Sequence, residues 1–343
     1  MDCRSGCGYR LARARKIQNA FRPYAKLLLR PLAVNTGSRL MTSSAPLDFL
    51  IIIGTGFMGA SIAQAAKRRG IAKHVIGIDS RSAQQALSLV HIDTQAESIA
   101  QLPQLCSQLS SQEDRCAMAI VMASPVSTYG QIFSELSSLP NALKPHQSIA
   151  WITDIGSTKS GVLRAANHLG NLASAFVSSH PMAGSEKHGP ADARADLFES
   201  ARVLISRLPQ STDDVVAAVE EFWIALGGQP SLLPIEEHDE LLAAISHLPH
   251  AVAYSLAGML AGSPLAGAAQ ALHGGGLRDT TRIAASSAEL WADIFLDNRE
   301  RLLSAWSEWA LHVEVMHQAL EKNDRHALIE CLQQASQWRK GFL

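Results

Sequence analysis

The stretch that decides the fold is "DFLIIIGTGFMGASIAQAAKRRG", residues 48–70. After its first residue come five apolar residues, three of them β-branched, which is typical of a strand buried on both faces of a parallel sheet. Gly54, Gly56 and Gly59 follow directly, and a helical segment then runs to Gly70, a suitable C-terminal stop. Strand, glycine-rich turn and helix in this order predict the first unit of a doubly wound α/β sheet.

The same turn predicts a binding site for a dinucleotide. A second predicted strand, "HVIGID", ends at Asp79, twenty residues after Gly59. The glycines permit a tight turn, close approach of backbone N–H groups to a pyrophosphate, and close packing of the helix on the strand. The helix N-terminus adds a dipole that favours phosphate. Asp79 is expected to bind the adenosine ribose and to repel a 2′-phosphate, which favours NAD over NADP, although Arg81 could soften that preference.

Three later apolar runs each lead to polar or turn-forming residues. They are 117–126, which contains Ser124 and Pro125, 149–159, which contains Ser157, and 173–180, which ends at His180. Ligands of open α/β sheets bind in the crevice beyond the carboxyl ends of the strands. We therefore expect these residues to face one crevice with Asp79 and the glycine turn, including Phe57 and Met58. Ser157 is further predicted to cap a helix that begins near Ser160.

Composition excludes several classes of protein. The 343 residues are 47% hydrophobic and 18% charged, with a formal net charge of −1. Nucleic acid and anionic membrane surfaces are therefore not expected as partners. No apolar run is expected to reach the roughly 18 to 20 residues needed to cross a bilayer. The five cysteines are scattered, with neither zinc-ligand spacing nor a disulfide framework, so we expect a reduced, cytoplasmic protein.

The chain divides into three predicted segments. Residues 1–46 form a basic tail, since nine lysines and arginines and no acidic residue lie between Cys3 and Leu47. This tail is interpreted as disordered or as the product of a start codon assigned too far upstream, with organelle import as the alternative. Residues 47–208 are expected to form the nucleotide-binding domain. Residues 209–343 are expected to form an all-helical domain, whose apolar periodicity predicts a homodimer.

Histidines and arginines supply the candidate chemistry. A dehydrogenase that oxidises an alcohol needs a proton acceptor, and His180, held stiffly by the proline that follows it, is a candidate base. A histidine that merely satisfies a turn is the alternative. His247 and His250 lie one helical turn apart, but no carboxylate–histidine set completes a site around them, so no metal is predicted. Arg278 and Arg282, beside a glycine-rich loop, are candidates for a clamp on a substrate carboxylate or ordinary surface arginines.

Five motifs, in order along the chain, resemble the successive signatures of the prephenate/arogenate (cyclohexadienyl) dehydrogenase family. They are "GTGFMGASIA", "TDIGSTK", "HPMAGSEKHGPADARADLFE", "EEHDELLAAISHLPH" and "GGGLRDTTRIAASSAELWADIF". The resemblance implies a Rossmann-type NAD-binding domain followed by an all-helical dimerisation domain. It also implies a reaction of tyrosine biosynthesis, the oxidative decarboxylation of prephenate to 4-hydroxyphenylpyruvate, of L-arogenate to L-tyrosine, or of both. Prephenate, or dual use, is the favoured substrate choice.

The resemblance also implies roles for particular residues. It implies that His180 takes the proton of the ring C4 hydroxyl and that Ser157 contacts the same hydroxyl. It implies that Arg282, rather than Arg278, binds the side-chain carboxylate of the substrate. The other residues that it implies at the substrate pocket are Ser185, Glu186, His250 and Trp291, with a pairing or gating role for Asp239.

Two other readings of the sequence stay open. One is a β-hydroxyacid-type dehydrogenase of the same architecture, although that class typically relies on a lysine in its helical domain. The other is a non-catalytic NAD-binding module that works through its dimer surface. His180, Ser157 and Arg282 are all intact, which argues against this module. Turnover of a cyclohexadienyl acid would separate the enzyme from the module.

Overall fold

The computed structural model describes residues 46–80, 82–110, 116–184 and 189–342. They form two compact units that divide after His238. The first unit is a sheet covered by helices and the second is entirely helical, which confirms the predicted fold class. The predicted basic tail lies outside the described residues, apart from its last one.

The first unit is built on an eight-stranded sheet. Its strands are β1 (Leu47–Ile53), β2 (Ala72–Ile78), β3 (Thr94–Ala96), β4 (Cys116–Met122), β5 (Gln147–Asp154), β6 (Phe176–Pro181), β7 (Arg202–Arg207) and β8 (Gln229–Leu232). Their order across the sheet is β3-β2-β1-β4-β5-β6-β7-β8. Strands β1 to β6 run parallel, β7 is antiparallel to β6, and β8 is parallel to β7. Because the chain moves outward from β1 to β3 and returns to β4, the order reverses beside β1, where such sheets bind ligands.

Helices pack on both faces of this sheet. They are α1 (Phe57–Arg68), α2 (Ala83–Ser88), α3 (Leu102–Leu109), α4 (Tyr129–Ser138), α5 (Ser160–Ala166) and α6 (Asp213–Ala225). Helix α1 begins directly after Gly56 and carries Lys67 and Arg68 in its last turn, where basic side chains interact favourably with the helix dipole. Helix α6 shows the complementary preference, with Asp213 and Asp214 in its first turn.

The central strands are buried because their side chains alternate between two hydrophobic cores. Phe49, Ile51 and Ile53 of β1 belong to one core, whereas Leu50 and Ile52 belong to the other. The alternation has the period of two that a strand imposes. Burial on both faces explains why β1 is an unbroken apolar run in the sequence. The glycine turn that follows β1 is therefore anchored in fully buried structure.

Three features of this unit differ from the sequence pattern. The strand predicted at 173–180 begins only at Phe176, because Gly170–Ala175 form a 3₁₀ helix. The sequence gives no sign of β3, since three residues are too few to establish a period. Helix α6 and β8 also belong to this unit, which extends past residue 208 to His238.

The second unit consists of helices. Helix α7 (Ile235–Leu242) leads into it, a π-helical turn (Ala243–His247) follows, and the remaining helices are α8 (Leu248–Ala261), α9 (Ala266–Leu272), α10 (Gly275–Thr281), α11 (Ala288–Asp297), α12 (Arg299–Glu321) and α13 (Arg325–Lys340). The π turn ends two residues before Pro249, whose ring and missing N–H do not fit an unbroken α-helical ladder. Ser287 caps α11 by accepting a hydrogen bond from Leu290 N, and Asp324 caps α13 in the same way.

Within the described part of the chain, one helical run is long and apolar enough to cross a membrane by length and composition. It is Ile235–Ala261, with 27 residues and a mean hydropathy of 1.2 in its most apolar window, contrary to the expectation from the bare sequence. One such helix is weak evidence for a membrane, because packed helices of other proteins pass the same test. His238, Asp239 and His247 of this run are buried inside the protein.

The helical unit exposes many large apolar side chains. Leu272 is 83% exposed and Leu303 is 59% exposed. An apolar groove of about 340 Å³ is lined by Ala251, Phe295, Leu296, Arg299, Leu302, Leu303 and Trp306. Contiguous apolar surface of this kind is typical of a region that packs against another protein surface.

Candidate active site

The glycine turn after β1 has the geometry of a dinucleotide cradle. Gly54 has a left-handed φ of +97°, and a Cβ added there would lie 2.6 Å from the backbone of Ala123 and Ser124. A Cβ on Gly59 would lie 1.9 Å from the carbonyl oxygen of Gly54, so the helix packs too closely for any side chain. A Cβ on Gly56 would meet nothing within 4 Å. Gly56 at the helix N-terminus thus leaves open the space that a pyrophosphate would fill, and a dinucleotide fits these residues.

Asp79 directly follows β2 and holds the glycine turn. Its Oδ2 accepts a hydrogen bond from Thr55 N at 2.8 Å, and its Oδ1 accepts one from Ser82 N at 3.0 Å. The hydroxyls of Thr55 and Ser82 also contact each other at 3.0 Å. The carboxylate is therefore fixed at the position from which an acidic residue binds a nucleotide ribose. Arg81, the residue expected to soften the preference for NAD over NADP, lies outside the described residues.

The other predicted cofactor residues lie on two loops beside this turn. Ser124 and Pro125 follow β4, where Ser124 Oγ contacts Thr128 Oγ1 at 2.9 Å and the Pro125 carbonyl accepts a hydrogen bond from the same hydroxyl. Phe57 and Met58 form the first turn of α1, with Phe57 buried and Met58 packed against the core. Their side chains support the turn, which leaves their backbone N–H groups as the groups suited to phosphate.

A buried ion pair joins the carboxyl ends of β5 and β6. Lys159 Nζ lies 2.9 Å from Asp154 Oδ2, and neither side chain has any exposed surface. The ammonium also donates to the carbonyl oxygens of Gly156 and Ser179 at 2.8 and 2.7 Å, so three acceptors surround it. Asp154 accepts further hydrogen bonds from Gly156 N at 2.8 Å and from Ser178 Oγ at 2.5 Å. These bonds compensate the desolvation of both charges.

The same network reaches the residue before the candidate base. Ser179 Oγ accepts a hydrogen bond from Trp223 Nε1 at 3.0 Å and contacts Thr153 Oγ1 at 2.8 Å. Ser179 also pairs with Ile205 of the antiparallel strand β7. The last residues of β6 are therefore held by two strands, a helix and the buried ion pair. This support fixes the backbone of His180.

His180 lies at the end of β6, as predicted, and is paired with a second histidine. Its Nδ1 lies 2.9 Å from Nε2 of His238. His180 is 8% exposed and His238 has no exposed surface. Because Nδ1 is used in this contact, Nε2 is the nitrogen through which the His180 ring can act as a base.

Ser157 lies in the loop after β5 and does not cap the helix that follows. Helix α5 begins at Ser160 with Lys159 as its N-cap residue and without a side-chain cap. The predicted capping role is therefore wrong, because Ser157 lies two residues too early to reach the first free N–H groups of α5. Ser157 is half-buried, and the helix does not use its hydroxyl.

The helical unit contains a second cluster of predicted residues. The His250 ring stacks on Trp291, with centroids 3.5 Å apart and an interplanar angle of 20°. His250 Nδ1 donates to the Ser246 carbonyl at 2.9 Å, which makes Nε2 the acceptor of the neutral ring. Burial lowers the pKa of His250, and the charge of Arg282 lowers it further, against the opposite effect of that hydrogen bond. In this cluster the guanidinium of Arg282, and not the neutral imidazole, is the group suited to binding an anion.

Asp239 contributes its backbone to a polar contact in the same unit. Its carbonyl oxygen accepts a hydrogen bond from Asn298 Nδ2 at 2.7 Å. The same amide contacts His247 Nδ1 at 3.0 Å, so His247 accepts there. The His247 ring in turn lies edge-on to Trp291, at 6.1 Å between centroids. Asn298 thus supports the π turn, while a pairing or gating role for the Asp239 carboxylate stays a prediction.

The other predicted residues are Ser185, Glu186, Arg278 and Arg282. Ser185 and Glu186 lie outside the described residues. Arg278 forms an exposed ion pair with Asp279 at 3.3 Å, whereas Arg282 acts electrostatically on His250. Among the residues that the structure describes, no group of three or more histidines, cysteines or acidic residues has an arrangement that could hold a metal ion.

Comparison with family models decides the relationship of this chain. The model described as prephenate dehydrogenase, nucleotide-binding domain, matches residues 62–232. The model described as prephenate dehydrogenase, dimerization domain, matches residues 234–334. The chain belongs to the prephenate dehydrogenase family. This result confirms the resemblance of its five motifs.

Relatives within the prephenate dehydrogenase family cover most of the chain. The chain is 34% identical to the prephenate dehydrogenase of Bacillus subtilis over 301 residues, which are 86% of this chain and 76% of the relative. It is 32% identical to the cyclohexadienyl dehydrogenase of Zymomonas mobilis over 195 residues, which are 55% of this chain and 64% of the relative.

Solved prephenate dehydrogenase structures share the fold. The Aquifex aeolicus prephenate dehydrogenase, in complex with hydroxyphenyl propionate and NAD⁺, is 29% identical with a TM-score of 0.74 and covers 88% of this chain and 100% of that one. The Synechocystis arogenate dehydrogenase has a TM-score of 0.66 at 24% identity, covers 86% of this chain and 100% of that one, and shows likeness of fold alone.

Three buried residues escaped the sequence analysis. In the sheet unit, Lys159 donates to the Ser179 carbonyl and His238 contacts His180, and in the helical unit Asn298 contacts His247. The only signal for Lys159 is its position five residues after an acid that ends an apolar strand. His238 lies in the "EEHDE" segment, where flanking acids give the appearance of a solvated helix face.

Proposed function

We propose that the chain is an NAD-dependent dehydrogenase that converts prephenate to 4-hydroxyphenylpyruvate with loss of carbon dioxide, a reaction of tyrosine biosynthesis. One observation carries the proposal: in a single unit, a glycine turn with open space at Gly56 accompanies a buried, paired His180 at the end of β6. Membership of the prephenate dehydrogenase family supports it.

The proposed chemistry needs a hydride acceptor and a base. NAD, when bound, accepts the hydride that leaves ring C4. Nε2 of His180 takes the proton of the C4 hydroxyl and returns it to the phenolate oxygen that forms as carbon dioxide leaves, so no proton is lost or gained overall. Ser157 binds the same hydroxyl and orients it. Because decarboxylation makes the ring aromatic, the protein contributes mainly position and charge.

The substrate anion is assigned to the cluster on the helical unit. Arg282 binds the side-chain carboxylate, since a guanidinium can contact both oxygens at once. Burial lowers the pKa of His250, and Nε2 of its neutral ring can accept a hydrogen bond from a substrate donor but cannot donate one to the carboxylate. Trp291 holds the imidazole by stacking. The motif resemblance implies that Ser185 and Glu186 also bind the substrate.

The choice between prephenate and arogenate depends on one substituent. Prephenate carries a keto group where arogenate carries an ammonium group, and the Arg282 guanidinium repels a second cation. Prephenate, or use of both substrates, is therefore proposed over strict arogenate use. The names of the Bacillus subtilis and Zymomonas mobilis relatives are in keeping with that proposal.

A homodimer through the helical unit completes the proposal. The family model for residues 234–334 is a dimerization domain. The apolar groove around Leu303 and Trp306 offers surface for a second copy of the chain. A cytoplasmic location stays a prediction from composition.

Absorbance of NADH tests the proposal, with prephenate and arogenate offered separately, each with NAD and with NADP. We expect turnover with prephenate and NAD, and a fall in kcat of about 10² to 10⁴ in His180→Asn, the usual contribution of a general base. His74→Asn is the matched control, since His74 is a half-buried histidine of the same unit that pairs with Thr94 at 2.8 Å. Failure of all four pairs with protein that still binds NAD would favour the non-catalytic module.

A further inference from the structure

The partner of His180 is itself a histidine, held by a different part of the fold. His180 lies on β6 and His238 on α7, and the Nδ1···Nε2 distance is 2.9 Å. The two rings lie 5.1 Å apart with an interplanar angle of 46°, so this contact is a hydrogen bond and not a stack. His238 has no exposed surface, which means that water does not replace the bond if it is lost.

The segment that carries His238 is itself anchored. Leu233 N donates to the Ile205 carbonyl at 2.9 Å, and Ser206 Oγ donates to the Leu233 carbonyl at 2.8 Å. Ile235, the first residue of α7, is buried in one of the two sheet cores. His238 follows one turn later, so the position of its ring is set by β7, the neighbour of the strand that carries His180.

The hydrogen bond between two imidazoles restricts which nitrogens carry hydrogen. In a pair of neutral rings one nitrogen donates and the other accepts. If His180 Nδ1 is the donor, its Nε2 carries no hydrogen and can take a proton. If His238 Nε2 were the donor, His180 would carry its hydrogen on Nε2 and could not act as a base there. The base therefore requires His238 to be the acceptor.

We propose that His238 is a positioning residue for the reaction: it accepts the Nδ1 hydrogen of His180 and thereby keeps His180 Nε2 unprotonated and correctly oriented toward the substrate hydroxyl. This inference rests on the proposed function. His238 fills the place that a carboxylate takes beside many catalytic histidines, but as a neutral acceptor. A neutral acceptor stabilises the protonated ring less strongly than a carboxylate would.

Two substitutions of His238 separate positioning from packing. His238→Gln places an amide oxygen near the position of Nε2 and can still accept the hydrogen, whereas His238→Met fills similar volume without an acceptor. We expect His238→Met to lower kcat about 10- to 100-fold, the usual loss when the partner that orients a functional histidine is removed. We expect kcat of His238→Gln to be about tenfold higher than that of His238→Met. The KM for NAD should stay unchanged in both.

The pH profile gives a readout that packing alone does not move. A hydrogen bond from His180 to an acceptor favours the protonated ring, so its loss lets His180 release its proton at lower pH. The acid limb of log(kcat/KM) should move down by roughly 0.4 to 1 pH unit in His238→Met and stay in place in His238→Gln. Among the described residues, the charged groups next to the pair in the chain or in its supporting network include Asp154 and Lys159, which are bound to each other, and Asp239, which follows His238 in the chain.

A second readout does not depend on turnover. Nitrogen-15 NMR of histidine-labelled protein, with the His180 signals assigned by His180→Asn, should show hydrogen on Nδ1 in the wild type and in His238→Gln. A mixture of tautomers is expected in His238→Met. Equal losses in both variants, with an unmoved acid limb and unchanged tautomer, would overturn the proposal. Absence of wild-type turnover with prephenate and arogenate would instead overturn the proposed function, while the NMR result would still report the pairing.

Discussion

Removal of the Lys159 ammonium provides the sharpest test of how the site is supported. Lys159→Met leaves the Asp154 carboxylate without its counter-charge at a place where neither side chain is exposed. Breaking a buried ion pair from one side costs about 3 to 5 kcal/mol of unfolding free energy. Asp154 keeps donors from Gly156 N, Ser178 Oγ and Ser179 N, so we expect a loss near the lower end of this range.

The double variant tests whether the two charges compensate each other. Asp154→Asn alone removes the counter-charge of the buried ammonium, which still donates to the Gly156 and Ser179 carbonyl groups, so we expect a loss of about 3 to 5 kcal/mol there as well. Asp154→Asn with Lys159→Met buries no charge. Its loss should therefore be smaller than the sum of the two single losses by about 2 to 3 kcal/mol.

Urea-induced unfolding, followed by tryptophan emission and by circular dichroism, measures these losses. Trp151 and Trp223 are buried in the sheet unit and report on it. Lys73→Met is the matched control, because it removes a lysine from a partly exposed ion pair with Asp48 and should cost less than about 1 kcal/mol. Additive losses in the double variant would refute the compensation argument, as would a loss in Lys159→Met no larger than that in Lys73→Met.

Four further outcomes follow from the surroundings of single residues. Gly56→Ala should leave the thermal unfolding temperature unchanged and should weaken NAD binding, measured by calorimetry, by about tenfold or more. Gly59→Ala should instead lower the free energy of unfolding by about 2 kcal/mol or more, because its Cβ meets the Gly54 carbonyl. Asp79→Asn should lower the ratio of kcat/KM for NAD to that for NADP by about tenfold, since it removes the charge that repels a 2′-phosphate; an unchanged ratio would contradict that role. Burial lowers the pKa of His250 below 6.5, so as the pH falls the unfolded chain binds a proton at this residue before the folded chain does. The free energy of unfolding should therefore fall as the pH drops below 6.5. In His250→Gln the urea concentration at the unfolding midpoint should depend less on pH in this range.

The strands that could be predicted from the sequence are largely those buried on both faces of the sheet. Strand β1 is an apolar run because each of its side chains enters one of two cores. Strand β8 is short, half-exposed and contains Pro230, so it lacks that signal. The residues of β7 do not by themselves predict that it runs antiparallel to β6. That direction is set by the connection from Met182 to Ala201, whose described part contains no crossover helix of the kind a parallel strand requires.

The residues of the candidate site that could be predicted from the sequence are those whose role depends on residues near them in the chain. The glycine turn and Asp79 form one local unit, and a strand end beside a proline identifies His180. Lys159 and His238 act through contacts that only the fold creates. Twenty residues separate Lys159 Nζ from the Ser179 carbonyl, and 58 separate the paired histidines. A lysine in a polar loop and a histidine among acids both give the local pattern of solvated surface.

The balance of charge around the base suits the proposed substrate. Prephenate carries two carboxylates, one of which leaves as carbon dioxide, so an unpaired carboxylate beside His180 would repel it. Asp154, which contacts Ser178 and Ser179 of β6, is paired with Lys159, and the partner of His180 is an imidazole. On the helical unit, burial keeps His250 neutral and leaves the Arg282 guanidinium as the charge of its cluster. There is thus a physical reason for the partner of His180 to be a histidine and not an acid. A neutral imidazole holds the base in place without a negative charge that would repel a dianionic substrate.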